Sequence, residues 1–171
     1  MGPAVERSGG SAANTIAFAR LPQYHTAFTS CNRVFQLEKA KRTETWCCDC
    51  DKCRFVFLIL APFLGPEKMR SIFGTDMLND EQQYPGFALL TGTGGDKPFE
   101  CVGELEESLA AVRLLAADAR WCNSRVVERL IHEVLPRFGP GDGLPDDTLA
   151  LGDENAVPSN LVNAVHALLG A

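Results

Sequence analysis

Four of the seven cysteines in this 171-residue chain have a spacing that suits one metal ion. Cys31 is followed after fifteen residues by Cys47, and two-residue gaps then separate Cys47 from Cys50 and Cys50 from Cys53. Two intervening residues let successive thiolates turn inward on one small ion. Zinc accepts four thiolates in a tetrahedron at about 2.3 Å. Such a site carries a formal charge of about −2, which Lys52 and Arg54, flanking the last ligand, are placed to offset. Closing on metal contributes on the order of 10 kcal/mol to folding. Cys48 competes for the same role, but only Cys47 has the two-residue gap to Cys50, which leaves Cys48 as a spare thiol. The spacing also suits an iron–sulfur cluster, and a reactive thiol pair is a third reading. A closed four-thiolate site is structural and by itself names no reaction.

A second chemical cluster runs Asp96-Lys97-Pro98-Phe99-Glu100-Cys101-Val102-Gly103-Glu104. It sets a cation, carboxylates and a thiol just before a helix start, where backbone N–H groups bind anions or lower a thiol pKa. The plainer reading makes Cys101 a small buried residue and the acids helix caps. The Thr91-Gly92-Thr93-Gly94-Gly95 stretch could approach a phosphate, but glycine-rich turns of this kind are common. His25, His132 and His166 are scattered; the last two lie on amphipathic segments and read as interface residues rather than ligands.

These residues need a scaffold, and the composition bounds it. A net charge of −6 argues against nucleic acid as a partner. The one dense basic stretch, Lys39, Lys41 and Arg42, lies between Glu38 and Glu44 and reads as a solvated face. The longest apolar run, Phe55 to Leu64, is broken by Pro62. It is about half of the roughly 20 residues a membrane span needs, so no membrane is expected. Met1 to Gly10 has no apolar leader. The chain is therefore expected in the cytoplasm, where thiols stay reduced and clustered cysteines favour metal over disulfides.

The expected fold is mainly α with a small zinc knuckle. Residues 1–13 read as a disordered N-terminus and 14–138 as a helical domain around the knuckle. Residues 139–158 read as an acidic, flexible linker, and 159–171 as a final amphipathic helix capped by Ser159. Within the domain, Asn14–Leu21 suits a short helix, His25–Phe35 an extended run and Glu38–Thr45 a charged loop. Phe55–Ala61 is apolar all round and reads as a buried helix. Pro66 suits the first turn of another helix that Gly74 ends. Asp76–Asp80 reads as one more turn of helix, and 84–100, rich in glycine and proline, as loop. Glu104–Ala119 and Ser124–Leu135 carry apolar residues at helical spacing.

Taken together, these motifs resemble one family. They are Thr29-Ser30-Cys31-Asn32-Arg33, Trp46 through Leu58 with the knuckle, Leu60-Ala61-Pro62-Phe63-Leu64, and Lys97 through Ser108. That family is the bacterial UDP-N-acetylmuramoyl-L-alanyl-L-glutamate epimerases. The knuckle is also similar to the zinc site of 7-cyano-7-deazaguanine synthases. The resemblance implies ATP-dependent inversion of the terminal L-glutamate of a peptidoglycan precursor through an acyl-adenylate. Zinc would be structural and ATP a co-substrate. It implies Cys101 or Glu104 for proton transfer and Lys97 as a clamp on carboxylate or phosphate, with Arg33 and Arg54 as further anion contacts. Such chains are longer, so this one is expected to be the C-terminal part of a larger α/β, ATP-pyrophosphatase-like enzyme. Ser8-Gly9-Gly10-Ser11 has no strand before it to make a nucleotide loop. A missing segment or a separate nucleotide-binding chain would supply ATP binding. The contrasting reading is a non-catalytic zinc module that binds a partner protein.

Overall fold

The computed structural model describes residues 11–96, 98, 102–139 and 167. Among the described residues six α-helices form the framework: α1 Ser11–Ala19, α2 Asp51–Leu60, α3 Pro66–Phe73, α4 Tyr84–Leu90, α5 Leu105–Ala117 and α6 Arg125–Glu133. No strand occurs among the described residues, so this part of the chain is mainly helical as expected. None of the described helices is long and apolar enough to cross a membrane.

Helix α2 is the hub, because its sequence is apolar on every side after the first turn. Phe55, Val56, Phe57, Leu58 and Leu60 are all buried, and α1, α3, α4 and α5 pack around them. Its C-terminal carbonyls would be orphaned in the core. Trp121 meets that need: its indole N–H is 2.9 Å from the Ala61 carbonyl and 3.3 Å from that of Leu64. The ring itself is fully buried. Helix α5 then packs on α6, which also touches α4, and Leu109, Val112, Leu115, Val127 and Leu130 close this side of the core. A row of aromatic rings joins the two ends. Phe28 stacks on Trp46 at 5.4 Å, Trp46 on Phe73 at 4.6 Å, Phe73 on Phe57 at 4.9 Å, and Phe57 meets Trp121 edge-on at 6.2 Å.

Several elements differ from the sequence reading. Helix α1 begins at Ser11, inside the stretch read as a disordered tail. His25–Phe35 is not extended. A 3₁₀ turn at Pro22–Tyr24 leads into it, and turns at Ala27, Phe28, Val34 and Phe35 are closed by backbone hydrogen bonds of 3.1–3.3 Å. Asp76–Asp80 is a turn rather than a helix. The Asp76 carboxylate accepts from Asn79 at 2.9 Å and pairs with Arg70 at 3.1 Å. The Leu78 carbonyl is taken by the Val126 N–H at 2.9 Å, which satisfies a donor at the start of α6. Residues 84–90, read as loop, form α4. Pro85 is allowed there because it sits in the first turn, where no N–H is needed. Gly74 ends α3 as expected, with φ of 77°. The expected linker and final helix lie outside the described residues, apart from Ala167.

Candidate metal centre

The four sulfurs come from two places in the chain. Cys31 lies in the turn region after Pro22–Tyr24 and is fully buried. Cys47 and Cys50 lie in the turn before α2, and Cys53 sits in the first turn of that helix. The buried Trp46 ring, wedged between Phe28 and Phe73, fixes where this turn begins.

All four sulfurs lie within 4.8 Å of one another. Cys47 Sγ is 3.7 Å from Cys53 Sγ, and Cys50 Sγ is 3.5 Å from it. A tetrahedron of sulfurs at 2.3 Å from zinc has edges of about 3.8 Å, so these separations fit one ion. They are far beyond the roughly 2.05 Å of a disulfide, and all four cysteines are free. Sulfurs this close leave no room for a cluster in which each thiolate binds a different iron. The residues therefore fit a single tetrahedral ion with every position filled by protein, an arrangement that binds and pins but leaves no open coordination site for substrate.

The surroundings act unequally on the four thiols, and burial raises the Cys47 pKa. The Cys47 backbone N–H donates to Cys31 Sγ at 3.4 Å. Burial raises the Cys31 pKa, but hydrogen bonds from Cys47 and from the Arg33 backbone outweigh it, and the net shift is downward. The hydrogen bond between Cys50 and Cys53 pulls the Cys50 thiol down to about 4. The same bond, with burial, pushes the Cys53 thiol up. The two sulfurs lie 3.5 Å apart, and a divalent cation bound between them would take the place of their thiol protons.

Cys48 is a different kind of residue. Its thiol points away, donating to the Phe73 carbonyl at 3.2 Å, and burial raises its pKa to about 11. Its backbone has φ of 54°, unlike any other described non-glycine residue. That left-handed step reverses the chain between Cys47 and Cys50, so Cys48 shapes the turn rather than serving as a ligand.

Around the sulfurs the charges differ from expectation. Arg54 does not turn toward the cluster. It pairs with Asp51 at 3.1 Å and Asp49 at 3.3 Å, and donates to the Gln83 side chain at 2.9 Å. Arg33 meets Asp49 at 2.6 Å. Its pKa is raised first by that bond and then by the nearby Cys47, so Arg33 is the guanidinium that feels the sulfurs. Asp49, unmarked in the sequence reading, clasps the Cys31 loop to α2 from inside the knuckle. Gly86 was also missed. A Cβ there would lie 2.4 Å from Arg54 Cδ, so the Arg54 side chain lies across α4 where residue 86 has no side chain.

The second cluster is seen in part. Lys97, Glu100 and Cys101 lie outside the described residues. Glu104 is the N-cap of α5, in a capping box with Glu107, and its backbone N–H donates to Glu107 Oε2 at 2.8 Å. Gly103 is required here: a Cβ would lie 2.3 Å from Phe55 Cζ and 2.0 Å from Glu107 Oε2. His25 is buried against Phe18, with Nε2 2.9 Å from its carbonyl, and His132 is exposed. Neither joins the sulfurs.

Residues 27–140 match the family model described as the MurL C-terminal domain. The chain belongs to that family. Curated relatives carry the name UDP-N-acetyl-alpha-D-muramoyl-L-alanyl-L-glutamate epimerase. One from Micromonospora sp. is 43% identical over 86% of this chain and 32% of its own length. One from Salinispora tropica is 50% identical over 68% of this chain and 25% of its own length. One from Xanthomonas oryzae pv. oryzae is 39% identical over 88% and 33% respectively. The chain thus spans a third or less of the relatives it matches, and the MurL C-terminal domain model contains the whole four-sulfur cluster. No solved structure matches the chain.

Proposed function

We propose that this chain is the zinc-pinned C-terminal domain of an enzyme that epimerises the terminal L-glutamate of UDP-N-acetylmuramoyl-L-alanyl-L-glutamate, in peptidoglycan precursor synthesis. The supporting observation is its identity of 39–50% to relatives bearing that name. Zinc held by Cys31, Cys47, Cys50 and Cys53 would supply structure. It locks the Cys31 loop onto α2 and takes no part in the chemistry.

The α-proton beside a free carboxylate is hard to remove, because the product is a dianion. Attack of the carboxylate on the α-phosphorus of ATP forms an acyl-adenylate and releases pyrophosphate. The acyl-adenylate α-proton is far more acidic. A base removes it on one face, a proton returns on the other, and water then cleaves the mixed anhydride to AMP and the precursor, now ending in D-glutamate. This needs a base, a proton donor and cationic clamps. Cys101 is the stronger candidate for proton transfer, since the Glu104 carboxylate is engaged in the cap of α5. Lys97 would clamp carboxylate or phosphate. The ATP site, of the ATP-pyrophosphatase type, would come from residues beyond those of this chain, in one polypeptide or a separate one. The reaction has no step in a membrane, in keeping with a cytoplasmic setting.

The test is a chimera in which this chain replaces the matching third of the Xanthomonas relative. With ATP and the muramoyl dipeptide it should yield AMP and the D-glutamyl epimer of the dipeptide, and Cys101→Ala should abolish the second product. A folded, metal-loaded chimera that releases neither would remove the reading. The non-catalytic alternative is favoured by one observation, the use of Glu104 as a cap, and a silent chimera would support it.

A further inference from the structure

A groove of about 390 Å³ lies between α4 and α6, with the Thr91–Gly95 turn along its edge. It is separate from the four sulfurs. One wall carries Arg129, whose guanidinium carbon sits 3.5 Å above the Tyr84 ring. Arg129 Nε also donates to Glu133 at 2.8 Å, and the Tyr84 hydroxyl donates to the same carboxylate at 2.7 Å. The Glu133 pKa is lowered by these two bonds. Arg137 lines the same groove from the 3₁₀ turn Leu135–Arg137, with no ion pair found for its side chain among the described residues. Thr93 lies on the opposite wall, its hydroxyl 3.0 Å from that of Thr91 and 3.2 Å from the Ala88 carbonyl.

Two side chains here already hold an oxyanion, and that oxyanion is part of the chain. A guanidinium held flat on a ring is pre-organised, so it loses little freedom on binding. The Tyr84 hydroxyl and Arg129 Nε converge on one carboxylate, the geometry a carboxylate or phosphate ligand would use. Arg137 adds a second cation, and with Glu133 the groove wall carries one excess positive charge in a chain whose net charge is −6. The volume exceeds what a lone side-chain carboxylate fills and leaves space for the body of a small molecule.

We infer that this groove binds the oxyanion of a small-molecule ligand, with Arg137 and Arg129 as its cations, the Tyr84 hydroxyl as a donor and Glu133 as a built-in occupant displaced on binding. The inference stands on this groove alone, whatever the fate of the epimerase reading.

The test uses the full chain at low ionic strength, titrated separately with inorganic phosphate, pyrophosphate and N-acetyl-L-glutamate, and followed by NMR. Arginine Nε–H signals and the backbone amides of 91–95, 129–135 and 137 should move saturably with at least one probe. Arg137→Ala, a change at an exposed position, should weaken that binding about tenfold, the loss of one charge-assisted hydrogen bond. Glu133→Gln, which frees the donors, should tighten it. Response to phosphate or pyrophosphate alone would assign a phosphate ligand, and response to the glutamate derivative alone a carboxylate one. No saturable response, or Arg137→Ala binding as tightly as the parent, would overturn the site. So would shifts confined to surfaces away from α4 and α6.

Discussion

The segment from Pro22 to Cys50 and the body from α2 to α6 are held together by different physics. The body buries Phe57, Leu58, Phe87, Leu109, Leu115, Leu130 and Trp121 almost completely, and burial of that kind stabilises by about 1.5–3 kcal/mol per large side chain. The segment before it has two 3₁₀ turns, Pro22–Tyr24 and Lys39–Lys41, and neither buries a residue. Phe35 is 67% exposed and Leu37 96%. Only Cys31, His25 and Trp46 of that segment are buried. One region keeps its shape by excluding water, and the other needs a crosslink because it has little apolar surface to bury. In the proposed reading, zinc is that crosslink.

Metal removal is the widest test of this contrast. A strong chelator should release one zinc per chain, measured by elemental analysis. Release should expose the 22–50 amides to hydrogen exchange while α5 and α6 stay protected. The local loss should be on the order of 10 kcal/mol, and Cys53→Ser should reproduce it. Equal loss of protection in α5 and α6 would show that the two regions are one cooperative unit.

The reverse experiment is Trp121→Ala, which removes the largest fully buried side chain among the described residues and the partner of the Ala61 and Leu64 carbonyls just past α2. It should lower stability by about 3–5 kcal/mol in denaturant titrations, through the body first. Gly86→Ala sits at the seam, where a Cβ collides with Arg54. A cost of about 1–3 kcal/mol is expected, and Arg54→Ala should relieve part of it in a double-mutant cycle. The smallest effect belongs to the turn itself. Cys48→Gly should keep zinc stoichiometry and lie within about 1 kcal/mol of the parent, because glycine accepts φ of 54° freely. Cys48→Val should cost more in the same titration, and loss of metal in the glycine variant would return Cys48 to the ligand set.

The sequence was most readable where spacing is itself the chemistry. Cys31, Cys47, Cys50 and Cys53 were picked from gaps alone, and the sulfurs converge. The long amphipathic helices α5 and α6 were readable for a similar reason, since their apolar residues repeat with the helical period. What escaped depends on distant partners. Tyr-Pro-Gly at the start of α4 looks like a loop until Arg54 is seen lying across Gly86. Asp49 looks like a spacer between cysteines until Arg33 and Arg54 arrive from either side. The groove cations Arg129 and Arg137 carry no local motif, and a fold is needed to set them beside Tyr84.

The row of rings has a practical corollary. The chain contains two tryptophans, and they occupy opposite stretches of that row: Trp46 adjoins the first residue of the Cys-x-x-Cys pair, whereas Trp121 is sealed under α2. Intrinsic fluorescence therefore comes with two addresses. A red shift from the first emitter alone would signal a loosened knuckle, and a shift from both would signal melting. Single-tryptophan variants would separate the two events without any added dye.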